Sequence, residues 1–168
     1  PEFTQAAADA LVLRRVRRRA MSLDWFEAMQ RLAAAAALGA ALGLNRNAVG
    51  KPVGVKTLGL VALGAAVFTM AATDFVDVGR WDAASRVIQG VATGVGFVGA
   101  GAILRHGHSQ TVEGITTATS VWVTAALGCA CGMGEWRIAT VATVLALAVL
   151  LLGSAIENAY HKLTGGEP

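Results

Sequence analysis

The chain has 168 residues, of which 55% are hydrophobic and 15% charged, and its mean hydropathy is +0.56. A soluble domain carries about 25% charged residues, and a small soluble chain this apolar could not cover its own surface. Lipid is therefore the solvent for much of it. The net charge of +3 comes from Arg14, Arg15, Arg17, Arg18 and Arg19, set against Glu2 and Asp9. The remainder is neutral, so the basic balance is no argument for nucleic acid.

Residues 1–20 open with Pro1-Glu2-Phe3 and lead through the arginines to Met21. They read as a foreign or upstream basic tail, with a native basic cytoplasmic arm as the alternative. No apolar core or small-residue cleavage site lies between the arginines and Met21, so they are not a secretory signal. Residues 21–160 read as one transmembrane domain and 161–168 as a short polar tail.

Uncharged stretches run over 57–73, 87–104, 114–134 and 138–156. Each is close to the ~20 residues a helix needs to cross a bilayer. A fifth, 32–45, reaches that length if it starts near Trp25 and includes Glu27 and Arg31, whose i,i+4 spacing lets them pair. A surface helix is the alternative, but the alanine-rich run has no polar face to leave in water. The expected fold is an all-α integral membrane protein, a bundle of about five transmembrane helices with close glycine-mediated packing.

The first helix is predicted over 23–44, followed by a basic turn with Arg46, Gly50, Lys51, Pro52 and Gly54. The second covers 55–73, and a polar connection holds Asp74, Asp77, Arg80, Trp81 and Asp82. The third covers 84–104, with a loop at Arg105, His106 and His108. The fourth covers 115–133, and the fifth 137–156 after a tight turn at Gly134. Gly39/Gly43, Gly90/Gly94 and Gly128/Gly132 are GxxxG pairs, which let helix backbones approach. The third helix adds Gly96, Gly99 and Gly101. Dense packing at the centre of the bundle is favoured over a broken helix beside a cavity.

Gly94, Gly96 and Gly99 match a dinucleotide fingerprint, but one that needs a strand before it and a βαβ setting. Within a membrane-length run it is a by-product of glycine packing. His106 and His108 have no third ligand nearby. Cys129 and Cys131 point in divergent directions on a helix, so neither a disulfide nor a shared metal follows. Thr116, Ser120 and Thr124 share a helix face and are expected to bond across to a neighbour or line a polar cleft. No acid or base lies mid-helix in the last four spans, where ion pathways usually carry ionisable groups. No catalytic constellation is present, and no cofactor or metal is expected.

The blocks containing Arg46, Gly50-Lys51-Pro52, Lys56-Thr57, Gly94 to Arg105 with Gly96, Gly99 and Gly101, and Gly114-Ile115-Thr116-Thr117 with Trp122 resemble, in order and spacing, the transmembrane domain of the MgtC/SapB family. The resemblance implies a bacterial inner-membrane protein linked to growth in low Mg²⁺ and, in some pathogens, to survival inside macrophages. It implies regulation of other membrane proteins rather than catalysis, with ion transport as the alternative. The partners implied are the lipid bilayer and another membrane protein or a second copy of the chain. The chain departs from the family pattern in Asn45 and Asn47, which replace two carboxylates, and in Lys56, which replaces an arginine and loses its bidentate fork. The soluble C-terminal domain of some members is not expected. Orientation follows the basic residues. With residues 1–20 set aside, Arg46, Lys51, Lys56, Arg105 and Lys162 outnumber Arg31, Arg80, Arg86 and Arg137, placing the N-terminus outside and the C-terminus in the cytoplasm.

Overall fold

A computed structural model describes residues 24–74, 81–105 and 112–164. The described residues form five helices: α1 (Trp25–Ala48), α2 (Val55–Asp74), α3 (Trp81–Gly101), α4 (Ile115–Gly132) and α5 (Trp136–Thr164). Between α3 and α4, β1 (Leu104–Arg105) pairs antiparallel with β2 (Val112–Glu113). Asp77, Arg80, His106 and His108 fall outside the described residues.

The boundaries follow local chemistry. α1 runs past the expected end at 44, because Asn45 to Ala48 contain no breaker; the chain turns at Gly50, which has φ 67°. Arg46 is therefore a last-turn residue of α1 rather than part of the turn. α3 stops at Gly101, where the Ala102 and Ile103 amides close tight turns onto Gly99 and Ala100. Gly114, at φ 95°, then leads from β2 into α4, in a backbone state that favours glycine. α5 continues through its polar last turns to Thr164.

Among the described residues, α2, α4 and α5 are long and apolar enough to cross a membrane. α1 and α3 have the length but carry Glu27, Arg31 and Arg46, or Asp82, Arg86 and Gln89. α4 is the central helix: 56% of its apolar window is buried, against 11% for α5. The core is made of small side chains, including Ala35, Ala62, Ala65, Ala66 and Ala125, with Leu42, Leu58 and Val121 among the larger ones. Large apolar side chains such as Leu60, Phe68, Leu145, Leu151 and Leu152 point outward.

Two of the three GxxxG pairs sit at helix crossings. A Cβ added to Gly39 would lie 2.6 Å from the Leu58 carbonyl oxygen, and one on Gly132 would lie 2.6 Å from that of Ala66. Gly43 faces the backbone of Val55, and Gly128 that of Ala62. α2 is thus held against α1 on one side and α4 on the other, at distances no side chain would permit.

The glycine-rich α3 is not at the centre. Gly90, Gly94, Gly96 and Gly101 meet nothing that an added Cβ would touch, and only Gly99, against Ala118, packs on α4. The helix lies against α4 and α2 along one side. Glycine density does not by itself say which neighbour, if any, a face meets.

A steric test follows. Replacing Gly128 by Leu should sharply lower accumulation in the membrane and thermal stability in detergent, since overpacking costs about 1–3 kcal/mol or more. Gly94→Ala should leave both within experimental error of the parent. Equal damage from the two changes would contradict the arrangement.

Candidate functional site at the ends of the fourth helix

α1 and α4 run antiparallel, and an arginine of α1 sits at each end of α4. At the C-terminal end, Arg31 Nη1 donates to the Gly132 carbonyl oxygen at 2.9 Å, and Nη2 bonds the Glu27 carboxylate one turn back. This is favourable twice over. The final carbonyls of a helix have no intrahelical donors, and the negative end of its dipole attracts a cation.

At the N-terminal end the balance is different. Arg46 is only 5% exposed, and its Nη2 donates to Thr117 Oγ1 at 2.9 Å. Its Nε is buried with no hydrogen-bond partner, and among the described residues no carboxylate pairs with it. An unmet buried donor costs about 1–3 kcal/mol. The amides of Ile115, Thr116 and Thr117 precede the first intrahelical bond, from Ala118 N–H to the Gly114 carbonyl. Gly114 has no side chain with which to cap them. The Arg46 guanidinium thus sits against the first turn of α4, the positive end of that helix's dipole.

Of the other residues singled out in the sequence, Lys56 is exposed and Thr57 half-buried at the start of α2, beyond the turn from Arg46. Gly114 and Thr117 belong to the Arg46 end, Thr116 is exposed beside them, and Trp122 is exposed on α4. Arg105 is placed by its backbone in the β1–β2 ladder. Gly94 and Gly101 share one open face of α3, and Gly96 is exposed on the opposite flank.

The expected cross-helix hydroxyl bonds are not formed. Ser120 donates to the Thr116 carbonyl, Thr124 to that of Ser120, and Thr143 to that of Ala139. Each hydroxyl satisfies itself one turn back, a local option always open to Ser and Thr. Thr117 is the exception, accepting from Arg46. Cys129 and Cys131 are free, buried and part of the core.

Two apolar grooves flank these helices. One of about 530 Å³ lies between α2 and α3, lined by Leu60, Gly64, Phe68, Gly90 and Gly94. A second, of about 340 Å³, runs from Ile115 and Thr116 along Ser120 to Val149 and Leu150 of α5, with Leu42 at its base. Among the described residues, no three His, Cys, Asp or Glu side chains cluster as metal ligands would.

The model of the MgtC family matches residues 32–159. The chain belongs to the MgtC family. It is 42% identical over 137 residues to Protein SrpB of Synechococcus elongatus, covering 76% of this chain and 75% of that protein. It is 37% identical over 139 residues to the putative magnesium transporter YhiD of Escherichia coli, covering 80% of this chain and 60% of YhiD. It is also 37% identical over 128 residues to Protein MgtC of Salmonella typhimurium, covering 76% of this chain and 53% of that protein. The chain thus spans little more than half the length of these last two. No solved structure matches it. Family membership and the apolar helices identify a multi-pass protein of the bacterial inner membrane, and the family is not one of enzymes.

Sequence reasoning missed Arg31 as an interhelical group, because i,i+4 spacing to Glu27 explained it locally. Arg31→Gln should lower thermal stability in detergent by about 1.5–3 kcal/mol, the range for a hydrogen bond to a charged group. Glu27→Gln, on an exposed side chain, should cost less than about 1 kcal/mol. A thermal-unfolding series on the two variants checks the order.

Proposed function

We propose that the chain is a membrane-embedded regulator in adaptation to low Mg²⁺, acting through contact with other membrane proteins. In this reading all five helices span, the N-terminus lies outside and the C-terminus in the cytoplasm. The observation that carries it is the sign of the ionisable groups held between helices. Arg31 and Arg46 are cations, whereas Mg²⁺ retains its water and takes carboxylate or phosphate ligands. A buried guanidinium between helices would oppose a cation's passage. The open glycine face of α3 supports the same reading, because small residues let a second helix come close.

The competing reading is Mg²⁺ transport, which the name of the E. coli relative carries. Liposomes holding the purified chain should show no Mg²⁺ uptake above protein-free vesicles. Saturable, protein-dependent uptake would overturn the regulatory reading as a complete account.

Orientation is checked separately. A reporter active only in the periplasm, fused after Lys162 in a chain starting at Met21, should be silent. Strong activity would show that the orientation or the number of spans is wrong.

A further inference from the structure

We propose that Arg46 and the uncapped first turn of α4 form a binding site for a phosphate oxyanion. Two independent deficits involve Thr117, whose hydroxyl takes the one Arg46 bond and whose amide lies ahead of the first intrahelical bond. The first is on Arg46. A guanidinium carries five N–H donors, yet this one, 5% exposed, makes one hydrogen bond, from Nη2 to Thr117 Oγ1, and leaves Nε buried and unmet. The second is on α4. Ile115, Thr116 and Thr117 offer amides ahead of the first intrahelical bond, and Gly114 supplies no cap.

Both deficits are of donors, and both carry positive charge, so a further donor or a cation would worsen them. An oxyanion resolves both, accepting from the guanidinium and from helix N-terminal amides together. Arg31 at the opposite end shows the contrast: it meets a carbonyl oxygen and a carboxylate, and none of its buried donors is left unmet.

A phosphate can arrive as a lipid headgroup or as a free ion. The groove that starts at Ile115 and Thr116 is apolar and runs along α4 and α5. It offers an acyl chain a path beside the headgroup position, which makes the lipid the fitting source.

The test uses the full chain in dodecyl maltoside, which contains no phosphate. Dioleoyl phosphatidylglycerol, dioleoylglycerol and inorganic phosphate are added separately. Retained lipid is read by native mass spectrometry and stabilisation by thermal unfolding. Phosphatidylglycerol should bind and raise the melting temperature, and dioleoylglycerol should do neither. Stabilisation by inorganic phosphate alone would assign the site to the free ion. Indifference of the parent protein to both phosphate probes overturns the proposal whether or not any variant folds.

Arg46→Gln should weaken phosphate-probe binding about tenfold or more, the equivalent of one charge-assisted hydrogen bond. Arg46→Lys, which keeps the charge but not the fork, should fall between it and the parent. Lys51→Gln removes an exposed charge nearby and should change binding less than twofold. An equal loss there would reduce the effect to general surface charge and overturn the site. Glu113→Gln removes the carboxylate that precedes Gly114 in sequence. Binding that appears only in that variant would make Glu113 the counter-ion of Arg46 and also overturn the proposal.

Discussion

Backbone-to-backbone contact among α1, α2 and α4 is the constraint on which the rest of the molecule depends. Lipid gives no hydrophobic drive for helices to associate, so close packing must supply the attraction. Ala62 shows how little room is used: its Cβ faces Gly39 of α1 while its carbonyl faces Gly128 of α4. Only glycine permits both approaches at once. The distribution of side-chain size follows. Alanine and glycine line the contacts, and Leu60, Phe68, Phe97, Leu145 and Leu152 face outward, where bulk meets lipid without penalty.

The same contact positions the two arginines. Arg31 and Arg46 are fifteen residues apart on α1, and their partners Gly132 and Thr117 are fifteen apart on α4. At 1.5 Å per residue both intervals span about 22 Å. Two straight helices held antiparallel at close range bring both pairs together in one register. Trp25 and Trp136, exposed at the Arg31 end, stand where amphipathic rings favour a membrane interface.

Much of the fold was legible because length and charge-free runs are direct consequences of the solvent. The second and fourth helices were read to within a residue at either end. Two of the three GxxxG pairs fall where an added Cβ would meet the α2 backbone. The third pair, Gly90/Gly94, was misread because a glycine face announces that something can approach without saying what does. The site was harder to read. Arg46 and Thr117 were each marked by family resemblance, but their meeting depends on the register of α1 against α4, which no local pattern encodes. The self-satisfied hydroxyls of Ser120 and Thr124 were missed for the opposite reason. A bond one turn back is always available to such a side chain, whatever the neighbouring helix offers.

The glycine contacts set α1 and α4 each against α2. A slide of about one turn, roughly 6 Å at 1.5 Å per residue, would keep one glycine of a pair at a crossing but bring Ala35 of α1, or Thr124 of α4, to the other. The added Cβ would crowd the α2 backbone, so packing opposes the slip. Arg31 and Arg46 oppose it as well, because a slip would carry one guanidinium off the Gly132 carbonyl and the other off Thr117. Arg31 would keep Glu27 but lose its acceptor on α4, and Arg46 would be left a cation with no partner. Buried polar groups serve in this way to favour one register. The charges that keep α1 from reading as a simple apolar span are thus the ones that fix where it stands against α4. That Arg46 holds register while leaving a buried donor unmet sets it apart from Arg31, which bonds Gly132 and Glu27 and leaves no buried donor unmet.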